Sequence, residues 1–185
     1  MGAAAPGRPL PEHGCPASEE VPGRRGPSVR QIARLFRSLP EAQDRVRNAE
    51  RFYDALVFSV ASQGTDAHAK NYSLLLEGDR ARLAPLYDLG SHAPYPTRGA
   101  ALTLAMSIDD EYRIRAIGTD ALVRAAVSLG LDAGYARDRA GVITAGVVDA
   151  FDRAADEARA VLGPHVFIDR LVDGIASWAE ERGWR

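Results

Sequence analysis

Three polar residues of this sequence have the types and the spacing that phosphoryl transfer uses. Asp66 is followed five residues later by Asn71, and Asp88 comes after a short apolar segment. In phosphoryl transfer one carboxylate orients the attacking hydroxyl, while amide and carboxylate oxygens bind the magnesium ions that neutralise the charge of the phosphate. Asp66 fits the first role, and Asn71 and Asp88 fit the second. The pattern therefore predicts a site for phosphoryl transfer.

The element that precedes Asp66 is the strongest predicted helix of the chain. Its apolar residues recur at steps of three and four, and they are Val46, Ala49, Phe52, Tyr53, Leu56, Val57 and Val60. Ser38, Pro40 and Glu41 are typical of a capping box at the helix start. Gly64 is expected to end the helix as a left-handed C-cap. Asp66 should therefore follow the end of a buried helix, which is a rigid support.

The segment between Asn71 and Asp88 is predicted to be a β-hairpin. Apolar and polar residues alternate along residues 71–86, and Gly78-Asp79 is typical of a two-residue type II′ turn. An antiparallel hairpin brings its two ends together. Asn71 and Asp88 flank those ends, so both side chains are expected within reach of one ion.

The rest of the chain is predicted to be mainly helical. Residues 1–27 are dense in Pro and Gly, which favours a flexible lead-in to a single domain at 28–185. Helices are predicted over 29–39, over 120–129, from Asp132 or Asp138 to 162, and over 167–183. Residues 101–108 alternate like a strand and precede a solvated turn at 109–111. The predicted fold class is mainly α with one small β-hairpin.

Composition excludes several classes of protein. A length of 185 residues suits one domain or one lobe of a larger protein. The formal net charge of −2 does not favour direct nucleic-acid binding. Cys15 is the only cysteine and cannot form an internal disulfide. No apolar run is long enough to span a membrane and no signal peptide is evident, so a cytoplasmic location with no membrane contact is expected.

Two segments around these polar residues closely resemble one known family. Gly64-Thr-Asp-Ala-His-Ala-Lys-Asn-Tyr-Ser-Leu-Leu-Leu76 and Arg82-Leu-Ala-Pro-Leu-Tyr-Asp-Leu89 are similar to the C-terminal lobe of HipA-type serine/threonine kinases. These kinases are the toxins of HipA–HipB toxin–antitoxin pairs. The likeness covers roughly residues 26–180. It implies the large lobe of a protein kinase, ATP as donor, a Ser or Thr hydroxyl of a protein as acceptor, and a HipB-like antitoxin as a partner.

The resemblance also implies roles for individual residues. Asp66 would be the catalytic base, and Asn71 and Asp88 would be the Mg²⁺ ligands. His68 stands where ordinary protein kinases often place a lysine near the γ-phosphate. The residues themselves favour Lys70 as a solvated loop charge or a neighbour of the bound phosphates rather than a nucleophile. The residues alone leave alternatives open: Asp66 capping a turn, His68 in a structural role, or Asp66 and His68 binding zinc, although no second His or Cys is near.

Two parts of a complete kinase are not found in the sequence. A kinase needs a Gly-rich loop over the phosphates and a strand lysine that contacts them. Residues 1–65 contain no G-x-G-x-x-G, and Lys70 is the only lysine among 23 basic residues. The chain is therefore expected to be a C-terminal lobe without its N-lobe and inactive by itself. Three explanations stay open: the gene is truncated, the sequence is part of a longer protein, or a second polypeptide supplies the N-lobe. The alternative is a catalytically silent remnant that binds an antitoxin or another partner.

Overall fold

The computed structural model describes residues 27–96 and 101–184, so the predicted flexible lead-in lies, apart from Pro27, outside the described residues. The elements in chain order are α1 (Val29–Ser38), α2 (Ala42–Ala61), β1 (Leu74–Glu77), β2 (Arg80–Leu83), β3 (Thr103–Ile108), β4 (Glu111–Arg113), α3 (Thr119–Leu129), α4 (Ala133–Leu162) and α5 (Val166–Glu181). The strands form two separate antiparallel hairpins, β1–β2 and β3–β4. The predicted fold class, mainly α with a small β-hairpin, is confirmed, and a second hairpin is added.

Helix α2 is the central element of the core. It packs against α1, α3, α4, α5 and β2. Its predicted apolar stripe is buried except for Val46, which is 53% exposed. Two buried hydrogen bonds tie α2 to distant parts of the chain: Tyr53 Oη donates to the Ala136 carbonyl (2.8 Å), and Trp178 Nε1 donates to the Val60 carbonyl (2.9 Å). The end of α2 is therefore held from several sides.

The predicted capping box at the start of α2 is wrong. Ser38 is the last residue of α1, and its hydroxyl donates back into that helix at 2.8 Å. The N-cap of α2 is Glu41, which makes no side-chain capping bond, and the Arg45 guanidinium binds two carbonyls of the connecting turn instead. The capping box lies one helix earlier, where Ser28 and Gln31 bond each other's backbone at the start of α1.

The predicted hairpin between Asn71 and Asp88 is present. Strands β1 and β2 pair from Leu74↔Leu83 to Glu77↔Arg80 around the two-residue turn Gly78-Asp79. Gly78 has φ of +58°, as the first central residue of a type II′ turn requires.

Two polar side chains of α2 hold β2 in place. Asn48 donates from Nδ2 to the Ala81 carbonyl and accepts at Oδ1 from the Leu83 N–H, both at 2.7 Å. One side-chain amide therefore pairs with the edge of β2 as a neighbouring strand would. One turn earlier, Asp44 accepts from the Ala81 N–H (3.0 Å) and from two nitrogens of Arg80 (2.7 and 2.9 Å). Asn48 and Asp44 are each 1% exposed, although their polarity predicts a solvated helix face.

The hydrogen bonds of the buried Asp44 carboxylate with Arg80 and Ala81 predict that the stability of the fold changes with pH in the acidic range. Hydrogen bonds from Arg80 and from the Ala81 N–H lower the pKa of Asp44 from 3.8 to about 2. A carboxyl group whose pKa is lower in the folded than in the unfolded chain stabilises the fold at pH values above its unfolded-state pKa. That stabilisation is lost as the pH falls through the folded-state pKa. The free energy of unfolding should therefore fall between about pH 4 and pH 2, and Asp44→Asn should flatten this part of the profile.

Urea denaturation at a series of pH values from neutral to strongly acidic measures this slope. Glu111, whose pKa is also lowered to about 2 by its bonds with Arg113, leaves part of the slope in the variant. Asp152→Asn is the matched control, because Asp152 is an exposed carboxylate on α4. If the free energy of unfolding fell equally with acidic pH in Asp44→Asn and in the original chain, the Asp44 hydrogen bonds would not have the assigned stabilising role.

Individual residues determine the turn of the second hairpin, the end of α3 and the start of α4. Asp109 and Asp110 form the β3–β4 turn with φ of +53° and +63°. Gly130 ends α3 with φ of +90°, and the Asp132 side chain caps α4 by accepting from the Tyr135 N–H (2.8 Å). No helix in residues 27–96 or 101–184 is long and apolar enough to cross a membrane.

Candidate active site

The connection from α2 to Asp66 depends on a glycine, but not for the predicted reason. The residue with positive φ is Gln63 (+54°), so the expected left-handed C-cap at Gly64 is wrong. A Cβ on Gly64 would lie 3.2 Å from Ser59 Cα and 3.3 Å from the Gly90 oxygen. Gly64 is therefore suited to this position by close backbone packing, and the chain just after Asp88 lies directly against it.

Hydrogen bonds to backbone carbonyls fix the conformation of the loop that follows Gly64 and contains Asp66. The Asp66 carbonyl accepts from the His68 N–H (2.7 Å) and from Asn71 Nδ2 (3.1 Å). The Ala105 N–H of β3 donates to the Thr65 carbonyl (2.9 Å), which fixes the loop to the second hairpin. The Asp66 carboxylate itself is exposed and makes no hydrogen bond or ion pair with any residue in the described ranges. It is thus held by its backbone and free to contact a substrate.

Asn71 and Asp88 line one pocket. The pocket lies between the end of α2, the loop after it and the segment 86–90, and its lining includes Ser59, Ser62, Asn71, Tyr72, Asp88 and Gly90. Asn71 is only 7% exposed, and its bond to the Asp66 carbonyl turns Oδ1 away from that carbonyl. Asp88 has φ of +54°, a left-handed conformation that an Asp adopts more readily than most residues.

Tyr87 ties the two ends of the β1–β2 hairpin together. Its hydroxyl donates to the Lys70 carbonyl (2.8 Å) and lies 2.8 Å from Ser73 Oγ. The residue before Asn71 is therefore bonded to the residue before Asp88. Sequence reasoning missed this contact, because a Tyr after an apolar segment gives no signal beyond its hydrogen-bonding capacity.

The remaining predicted site residues lie outside the lining of this pocket. Asp66, His68 and Lys70 belong to the same loop, but none of them lines it. Lys70 is exposed and makes no ion pair within the described part of the chain. The Nδ1 atom of His68 is buried without a hydrogen-bond partner among the described residues, and so is that of His92, which sequence reasoning did not single out.

The donor atoms of the pocket fit magnesium better than zinc. A magnesium site usually combines one or two carboxylates with substrate phosphates and water, and the two pocket-lining residues Asp88 and Asn71 carry hard oxygen atoms on their side chains. Zinc prefers several His or Cys ligands, and neither residue type is among the described residues that line this pocket. No group of three His, Cys, Asp or Glu residues suited to a metal occurs in residues 27–96 or 101–184, so the ion would need ligands from the substrate or water as well. Asn71 and Asp88 are thus the residues able to hold such an ion.

Comparisons with known proteins agree with the resemblance seen in the sequence. The chain is 23% identical over 167 residues to "Putative kinase Y4mE" of Sinorhizobium fredii, which covers 90% of this chain and 39% of that protein. A chain in the solved complex of HipA, HipB and operator DNA from the Shewanella oneidensis MR-1 toxin–antitoxin system matches with a TM-score of 0.66 and 24% identity, over 85% of this chain and 36% of that chain.

This chain thus spans less than two fifths of the length of either protein. The sequence model of the HipA-like C-terminal domain matches residues 13–155, which is well over half of the chain. The protein belongs to the HipA-like C-terminal domain family.

Proposed function

We propose that this chain is the C-terminal catalytic lobe of a HipA-like serine/threonine protein kinase. It transfers the γ-phosphoryl group of ATP to a Ser or Thr hydroxyl of a protein, in a toxin–antitoxin context. The observation that carries the proposal is the shared pocket of Asn71 and Asp88, with Asn71 bonded to the backbone of Asp66. These contacts join the three residues of the phosphoryl-transfer pattern in one small part of the fold.

Each residue of the loop has a distinct role in the proposed reaction. The exposed Asp66 carboxylate orients the attacking hydroxyl and accepts its proton. Asn71 Oδ1 and the Asp88 carboxylate would hold Mg²⁺, which would neutralise charge on the phosphates. Lys70 is an exposed positive charge in the same loop and would lie beside the bound phosphates. We assign His68 an accessory role near the reacting phosphate.

The phosphate-clamping parts of the site come from outside this chain in the proposed mechanism. Lys70 is the only lysine in the sequence and already belongs to the catalytic loop. The matched proteins are more than twice as long as the chain. Their additional length is the natural place for a Gly-rich loop and a clamping lysine, supplied either in the same gene product or as a separate polypeptide.

The proposal predicts that the 185-residue chain alone does not transfer phosphate. Radiolabelled ATP and Mg²⁺ should give no labelled protein with the chain by itself, because nothing in its sequence clamps the nucleotide. Labelling of Ser or Thr should appear when the chain is combined with the N-terminal portion of a longer HipA-like relative. Robust autophosphorylation by the chain alone would refute the need for a second lobe.

One observation favours a second candidate function, which is partner binding without catalysis. The same missing lysine is expected if the chain is a silent remnant that binds a HipB-like antitoxin. The two functions predict different results when the chain is combined with the N-terminal portion of a longer relative. A remnant would bind a purified HipB-like protein but would show no transfer with any N-terminal portion, whereas a catalytic lobe would show transfer that requires Asp66.

A further inference from the structure

The loop that follows Asp88 is packed between two helices that are distant in sequence. This post-Asp88 loop comprises residues 89–96. On one side, Ser91 Oγ donates to the Ser62 carbonyl (2.6 Å) and the His92 N–H donates to the Gln63 carbonyl (2.9 Å). Both carbonyls belong to the two residues that directly follow α2. The Gly64 contact described above adds a third attachment on this side.

The other side of the post-Asp88 loop lies against Gly174 in the middle of α5. A Cβ built on Gly174 would lie 2.8 Å from the Ala93 carbonyl carbon, 3.0 Å from Ala93 Cβ and closer still to the Ala93 oxygen. Real side chains do not tolerate such distances to backbone atoms. Ala93 also packs against the cluster formed by Ala61, Val147, Val148, Ile175 and Ala179, which belongs to α2, α4 and α5.

A glycine within a helix is otherwise unfavourable. Gly at an interior helical position destabilises relative to Ala, because its backbone has more freedom to lose. For Gly141 and Gly146 of α4, no described atom beyond the adjacent turns of their own helix lies within 4 Å of a built Cβ, so no described neighbour requires glycine there. Gly174 differs from both, since its missing side chain is the space that the Ala93 backbone occupies.

We propose that Gly174 is a positioning residue for Asp88. It lets α5 press the post-Asp88 loop against the end of α2, and the loop then holds Asp88 at the pocket that it shares with Asn71. The family model matches residues 13–155, so α5 lies outside the residues that it matches. The proposal rests on the proposed function only in assigning Asp88 to the metal; the positioning itself is a property of the fold.

The test compares Gly174→Ala with Gly146→Ala in the 185-residue chain. Both variants add one methyl group to a helix, and only the first meets the Ala93 backbone. Backbone NMR should show shifted amide signals for residues 88–93 in Gly174→Ala and unchanged signals there in Gly146→Ala. Titration with Mn²⁺, a stand-in for Mg²⁺, should show roughly tenfold weaker binding for Gly174→Ala and unchanged binding for the control.

These readouts separate positioning from simple destabilisation. A merely structural glycine would lower the unfolding midpoint, but well below that midpoint it would leave the Asp88 amide signal and the Mn²⁺ affinity unchanged. Should Gly174→Ala not fold, Ala93→Gly removes packing from the same contact without a clash. It should raise amide hydrogen exchange in residues 90–93 and weaken Mn²⁺ binding.

The outcomes also separate this proposal from the proposed function. If Asp88→Asn leaves Mn²⁺ binding unchanged, the metal role of Asp88 is wrong, and the amide signals still decide whether Gly174 positions the loop. If Asp88→Asn abolishes binding while Gly174→Ala matches its control in both signals and affinity, the positioning role is overturned. An unchanged exchange pattern in Ala93→Gly would overturn it as well.

Discussion

Replacing Asp66 by Asn is expected to lower phosphoryl transfer by a factor of roughly 10² to 10⁴ and to leave the fold intact. The amide has nearly the shape of the carboxylate but cannot accept a proton from the attacking hydroxyl. Stability should be unaffected, because the Asp66 carboxylate makes no contact that Asn would break among the described residues. The backbone carbonyl of residue 66, which accepts from Asn71 and His68, is retained.

Transfer to Ser or Thr should be measured with the chain combined with the N-terminal portion of a longer relative. Urea denaturation of the same preparations checks the fold. Asp79→Asn is the matched control, since Asp79 is an exposed acid at the far end of the β1–β2 hairpin and should leave the rate unchanged. Full activity in the Asp66→Asn variant would show that Asp66 is not the base.

The second large effect is expected at Asn48, where Ala should lower the free energy of unfolding by about 3 kcal/mol. The substitution leaves the Ala81 carbonyl and the Leu83 N–H without partners in a buried position. Each unsatisfied buried backbone group costs about 1–3 kcal/mol. Because Asn71 and Asp88 flank the hairpin that Asn48 holds, the variant should also weaken divalent-cation binding.

Chemical denaturation with Gln43→Ala as the control measures this contribution. Gln43 carries an amide on an exposed position of the same helix, so its loss removes no contact with β2. The difference between the two variants isolates the buried bonds from the general effect of an Ala in α2. A loss at Asn48 no larger than that at Gln43 would mean that the Asn48 hydrogen bonds do not stabilise the attachment of the hairpin to α2.

Local patterns in the sequence were sufficient for the parts of the fold that carry the candidate site. The apolar stripe from Ala49 to Val60 predicts α2, because a face of that width has to be buried. Alternation around Gly78-Asp79 predicts the β1–β2 hairpin and the meeting of its two ends. From these two elements alone, Asn71 and Asp88 were expected in one place, and both line one pocket.

Contacts between distant segments could not be predicted in the same way. The burial of Asn48 and Asp44 has no signal in the nearby sequence. Both side chains are buried because they form hydrogen bonds with β2, which lies more than 30 residues later. In the sequence, Gly64 resembles a helix end and Gly174 an unfavourable position within a helix. The structure shows instead that each leaves space for another part of the backbone, Gly90 beside Gly64 and Ala93 beside Gly174. Strand β4 is three residues long, too short for alternation to reveal it.

The most direct test of the account is a Mn²⁺ titration of the 185-residue chain followed by NMR. The central claim is that Asn71 and Asp88 hold one cation in their shared pocket, next to the loop that carries Asp66. Paramagnetic broadening should therefore remove the amide signals of all three residues together at the first equivalent of metal, and Asp88→Asn should abolish the effect. Broadening that spares Asn71 and Asp88, or that persists unchanged in the Asp88→Asn variant, would contradict the claim.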